Sequence, residues 1–105
     1  MAGRMFVVAV DSDATVAQRD AFTATMQANS SIGFWHHIAP FWIVADPLCT
    51  QTATEIRDRL KALMPKVNVL VIQVTPHTWA GIAPSGGHQW LQTELHENKA
   101  RWTSD

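Results

Sequence analysis

Residues 33–46, GFWHHIAPFWIVAD, constrain the fold more than any other part of the chain. The runs 34–38 and 41–45 are rich in aromatic and β-branched residues, which suit a pleated surface. Ala39-Pro40 separates them. Proline fixes φ and lacks an N–H, so it favours a turn over a central ladder position. The spacing predicts an antiparallel hairpin with a short connection. Strict alternation puts Phe34, His36 and Ile38 on one face and Trp35 and His37 on the other. In the second run Trp42 and Val44 oppose Phe41, Ile43 and Ala45. Both faces carry large apolar groups. A helix layer can cover one; the other needs a partner, a ligand or a C-terminal segment.

The flanks complete the pattern. MFVVAV, residues 5–10, is a short apolar run that stops at the turn cluster Asp11-Ser12-Asp13, and it reads as a strand inside the sheet. Residues 15–29 read as a helix, with Phe22 and Met26 on its apolar side and Asp13 or Thr15 as its cap. Thr52-Ala53-Thr54-Glu55 matches a capping box, and Ile56, Leu60 and Leu63 follow at helical spacing until Pro65. VNVLVIQVT, residues 67–75, is the longest strand candidate. After a bend rich in Gly and Pro, residues 88–98 read as a last helix, apolar at Trp90, Leu91 and Leu95.

The order is β-α-β-β-α-β with an extra C-terminal helix. The expected fold is therefore α+β, a ferredoxin-like sandwich. One domain spans 1–105, with a core at about 5–75 and a tail at 76–105. Right-handed crossovers place the first strand and the second hairpin strand centrally, leaving the other two as edges. Leu70, Val71 and Ile72 are very apolar for an edge strand. That edge is expected to be covered, by a second copy of the chain or by the tail around Trp79 to Trp90; a symmetric dimer would also cover the open sheet face.

Charge narrows the partners. Eight Lys and Arg stand against nine Asp and Glu, which gives no overall basic footprint for nucleic acid. The one cysteine, Cys49, forms no intrachain disulfide and fits a reduced, cytoplasmic setting. The apolar run at 5–10 is too short to cross a membrane.

Several side chains carry candidate chemistry, each with an ordinary structural role beside it. Asp11 ends the first strand, where a carboxylate can hold a divalent cation, especially with a second copy across a dyad; Asp11 and Asp13 equally suit a turn and a cap. His36 and His37 point to opposite faces and so do not ligate one ion from a regular strand, but one can reach the open face as acid, base or pH-sensitive contact. His77-Thr78 and His36-His37-Ile38 fail the paired pattern of a two-histidine phosphodiesterase. Ser85-Gly86-Gly87 lacks the lysine and spacing of a phosphate loop, though an anion can sit at a helix start there. Five Trp and no Tyr are present. Stacking of bases on an open sheet is one use for them; filling the core and a dimer interface is the other. A pocket between sheet and tail lined by His36, Trp42 and His77 is expected to take a small molecule or nucleotide.

The first strand ending in Asp11, the βαββαβ order and the chain length resemble the small CRISPR adaptation nucleases and their VapD-type toxin relatives. The chain looks closer still to short bacterial members of that superfamily. The residues that carry this are Phe34-Trp35-His36, Trp42-Ile43-Val44, Ile56-Arg57-Asp58-Arg59-Leu60, Leu70-Val71-Ile72 and Trp79-Ala80-Gly81. The resemblance implies that Asp11 is a metal ligand at a dimer axis. Two functions are thus expected: a dimeric binding or regulatory module, related to nucleic acid or nucleotides, or an Mg²⁺- or Mn²⁺-dependent endonuclease with Asp11 as catalytic residue.

Overall fold

The structure, a computed structural model, describes residues 2–103. Met1, Ser104 and Asp105 of the expected domain and tail lie outside the described residues. The elements run β1 (Arg4–Val10), α1 (Val16–Gln27), β2 (Gly33–Ile38), β3 (Phe41–Asp46), α2 (Ala53–Leu63), β4 (Val69–Val74) and α3 (Ser85–Leu91). A wide π-type turn over Gln92–Glu97 and a 3₁₀ turn over Lys99–Arg101 follow, and Trp102 then bridges to Gly3. The four strands form one antiparallel sheet in the order β2-β3-β1-β4, so β1 and β3 are central and β2 and β4 are edges.

Local sequence sets the element ends. Thr15 caps α1: its hydroxyl accepts from the Gln18 N–H, and the Gln18 side chain accepts from the Thr15 N–H. Asp13 is therefore not the cap. Thr52 and Glu55 make the same reciprocal pair at the start of α2. Two orphan N–H groups are satisfied at each helix start, a contribution of about 1 kcal/mol per cap.

Helices α1 and α2 cover one sheet face. Phe6, Val8 and Val10 of β1 and Trp42 and Val44 of β3 pack there against Phe22, Met26, Ile56 and Leu60. The opposite face is covered by the chain's own tail. Met5, Ile43, Ala45 and Trp35 are buried there with Leu91, Leu95 and Trp102. The tail is clasped at both ends. Trp35 Nε1 donates to the Gly87 carbonyl at 3.2 Å. At the other end Gly3 donates to the Arg101 carbonyl at 2.7 Å and accepts from the Thr103 N–H at 2.8 Å. Gly87 has no side chain because the His37 ring lies where a Cβ would stand, at 2.7 Å. Ser85, Gly86 and Gly87 thus form the first turn of a short helix docked on the hairpin.

Two expectations are corrected. The hairpin does not alternate regularly: Trp35 pairs with Ile43, but Ile38 pairs with Phe41, so one extra residue is accommodated between them. Such a bulge turns later side chains over. Ile38 joins Trp35 and Phe41 on the tail face instead of following His36. The second correction concerns coverage. The tail roofs the β2, β3 and lower β1 part of its face but does not reach the outer part of β4, where Leu70 and Ile72 stay 57% and 46% exposed.

Candidate binding groove

The candidate site residues from the sequence fall in three separate places. Asp11 lies at the end of β1, partly buried. One carboxylate oxygen accepts from the Asp13 N–H at 2.9 Å and the other from Asn68 Nδ2 at 3.0 Å. The side chain closes the turn before α1 and ties it to the start of β4. No group of three His, Cys, Asp or Glu converges among the described residues. Asp11 also borders an open hollow with Ala9, Asn68 and Leu70, so it stands at the rim of the uncovered apolar strip.

His36 and Trp42 face the helices. Their rings stack at 4.3 Å with planes 14° apart, and Phe22 meets Trp42 edge-on at 5.0 Å. Trp42 is fully buried and donates through Nε1 to Thr23 Oγ1 at 3.1 Å; Thr23 in turn donates to the Arg19 carbonyl. His36 Nε2 donates to the Ala39 carbonyl at 2.8 Å, and Nδ1 lies 3.5 Å from Thr23 Oγ1. With Trp42 bonded to Thr23 and stacked on His36, this group anchors the hairpin to α1. His77 stands on the opposite sheet face, after β4. The three do not line one pocket, because strand alternation sends His36 and Trp42 away from the tail.

The hollow between sheet and tail exists without them. Beneath the arch formed by residues 75–83 lie two neighbouring cavities of about 280 and 320 Å³. Trp35, Ile38, Phe41 and Ile82 line the first; Met5, Val7, Val74 and His77 line the second. Ile43, Trp79 and Leu95 belong to both, so Trp79 stands as the partition of one apolar groove. An apolar cavity of about 150 Å³ accepts benzene, so each half holds roughly a bicyclic ring system. The polar groups at hand, His77, Thr75 and Thr78, gather in the second half. Among the described residues, 75–83 make no main-chain or side-chain hydrogen bond, and the arch is held by Trp79 and Ala83 packing on the tail-side core. Trp79 was legible as aromatic, but only the bulge at Ile38 and the path of the arch bring it to one hollow with Phe41.

One polar cluster escaped the sequence reading. Asp46, the last residue of the hairpin stretch, is fully buried at the end of β3. Its carboxylate accepts from Thr50 Oγ1 at 3.0 Å and from the Gln51 N–H at 2.8 Å. Arg4 donates to the Gln51 carbonyl at 2.9 Å, and Arg59 donates to Gln51 Oε1 at 3.0 Å. This holds the 46–51 loop in a shape that puts Cys49 at φ 53°, a left-handed conformation uncommon for a residue with a Cβ. The signal was available in principle: an Asp followed by Thr and Gln four and five residues on, before a capping box.

Compared with protein-family models, curated proteins and solved structures, the chain finds no match. No helix among the described residues is long and apolar enough to cross a membrane.

Proposed function

We propose that this chain is a ferredoxin-like domain that works as a homodimeric binding module, in a reducing cytoplasmic setting, with the groove under the arch as its ligand site. The ligand is a small molecule with a flat apolar or aromatic ring system, nucleotides among them. The observation that carries this is the groove itself: aromatic and aliphatic walls under a segment with no hydrogen bonds of its own. Pockets for small molecules are largely apolar concavities with a few polar groups to one side, and His77 with its threonines supplies that side. The strand order β2-β3-β1-β4, with helices on one face, supports the fold name. Leu70 and Ile72, exposed on an edge strand, support the second copy.

Thermal shift against a panel of nucleosides, nucleotides and aromatic acids tests the ligand. A binder present at about 100 times its Kd adds about 2.7 kcal/mol of stability. Trp79→Ala should abolish the gain. If no compound raises Tm, or if the gain is unchanged in Trp79→Ala, the groove is not the site.

A second reading is the Mg²⁺- or Mn²⁺-dependent endonuclease with Asp11 from two copies at the dyad. In its favour, Asp11 borders the uncovered strip at Leu70. A cleavage assay on RNA and DNA with either ion, comparing wild type with Asp11→Ala, decides it; equal cleavage by both removes Asp11 from the chemistry.

A further inference from the structure

We infer that the second copy joins edge to edge through β4, about a two-fold axis at Val71. This rests on the homodimeric reading above and gives it a register.

The ladder decides which main-chain groups face outward. Asp11 donates its N–H to the Asn68 carbonyl at 2.9 Å, in register with the pair Val10↔Val69. On the other flank of β1, Val10 donates to the Pro40 carbonyl at 2.9 Å, which is the complementary phase. Bonded and non-bonded pairs alternate along an antiparallel ladder. Asn68, Leu70, Ile72 and Val74 therefore turn their N–H and C=O toward β1, while Val69, Val71 and Gln73 turn theirs to the open side. Among the described residues no strand pairs with β4 there. Natural edge strands are guarded by charge, proline or a covering segment. VLVIQV carries neither charge nor proline. The tail touches only its far end, where Gln73 Nε2 donates to the Thr103 carbonyl at 3.1 Å and Val74 packs on the tail-side core, and it leaves Leu70 and Ile72 exposed. Arg57, which lines the hollow beside Val69 and Val71, is held by Asp58 at 2.8 Å.

The side chains select one register. With the axis at Val71, the bonded pairs are Val69 with the partner's Gln73, Val71 with the partner's Val71, and Gln73 with the partner's Val69. Each pair exchanges two hydrogen bonds. Leu70 then stands directly opposite the partner's Ile72, and Ile72 opposite the partner's Leu70, in the close non-bonded pairs of about 4.5 Å between Cα atoms. The two most exposed side chains of the strand cover each other. An axis at Leu70 keeps only two bonded pairs and sets Ile72 against the polar Asn68. An axis at Ile72 also keeps two and sets Leu70 against Val74, which is already half-buried.

Two consequences follow for function. Ile72 pairs with Val7, a wall of the second half of the groove. The partner's Leu70 beside Ile72 thus walls the groove's open flank. Asp11, by contrast, is taken away from the axis. It pairs with Asn68, three residues or about 10 Å along the strand from Val71. Doubling that, and adding three strand spacings of about 4.8 Å across, separates the two Asp11 carboxylates by about 25 Å. They share no ion at that distance, so this pairing and the endonuclease reading exclude each other.

Disulfide trapping in a Cys49→Ser background reads the register. Leu70→Cys and Ile72→Cys chains, each alone and co-expressed with distinguishable tags, are exposed to a mild oxidant. The expected result is a cross-link between the two different chains at least tenfold faster than within either alone. Faster cross-linking of either variant alone overturns the axis at Val71. So does a wild type that is dimeric by light scattering while no combination cross-links. A wild type that stays monomeric by light scattering at high concentration sinks the homodimer itself.

Discussion

Gly3 and Gly86 show what a missing side chain does in two settings. A Cβ at Gly3 would stand 2.8 Å from the Pro47 Cα, 2.9 Å from the Trp102 ring and 3.1 Å from the Asp46 carbonyl. Two of these are backbone atoms and cannot rotate away. Gly3→Ala should therefore cost about 1–3 kcal/mol, as overpacking does, and loosen the Trp102 clasp. At Gly86 nothing lies within 4 Å and the backbone is not left-handed. Gly86→Ala should stabilise by about 0.4–1 kcal/mol, by restricting the unfolded chain. Urea unfolding of both variants, with Trp fluorescence as signal, checks the opposite signs. At Asp46 the balance is polar. Asp46→Ala leaves the buried Gln51 N–H without its acceptor, at a cost of about 1–3 kcal/mol. Asp46→Asn keeps one carbonyl oxygen for that N–H and should recover part of the loss in the same assay.

At the level of elements, the arch over residues 75–83 is the least secured part of the chain. Its amides have no hydrogen-bond partners among the described residues, whereas β1 and β3 are bonded on both sides. Hydrogen exchange should find the arch amides close to unprotected rates and those of 5–9 and 42–45 the slowest, because protection follows local opening. A groove ligand should slow the arch alone. Much of this arrangement was legible in the chain. The capping box at Thr52 and the buried β1 follow from spacing within a few residues, and the two edge strands from the order of the elements. What was not legible depends on pairing across distance. The bulge between Trp35 and Ile38 is set by how β2 meets β3 and α3, so strict alternation misplaced Ile38. Tail docking hangs on Gly3 and Gly87, whose need for a missing side chain is set by residues distant in the chain, Pro47 and Trp102 for one and His37 for the other. His36 and Trp42 read as lining a pocket between sheet and tail; the contact with Thr23 on α1 puts them on the other face, as an anchor.

The whole molecule hides two apolar layers with its own chain and leaves an apolar strip on β4, with Ile38, Leu48 and Ile82 exposed elsewhere. Helices close one face of the sheet and the tail most of the other, so the need for a partner, spread in the sequence over a whole face, contracts to the outer side of β4. That contraction makes the dimer testable by one charge. Ile72→Lys places an ammonium beside the partner's Leu70 in the middle of the shared edge, where a charge must be desolvated or the strands parted. The folded monomer should tolerate it, since the side chain is 46% exposed there. Dimer affinity should fall at least about 100-fold, equivalent to about 2.7 kcal/mol. Val16→Lys is the matched control: Val16 is 63% exposed on α1, away from the sheet edge, and should leave the dimer intact. Sedimentation velocity over a dilution series reads both. Melting supplies an independent check, because binding of a second copy stabilises by mass action and makes Tm rise with concentration. Wild type and Val16→Lys should show that rise and Ile72→Lys should not. A concentration-dependent Tm that survives in Ile72→Lys would mean that the copies meet somewhere other than β4.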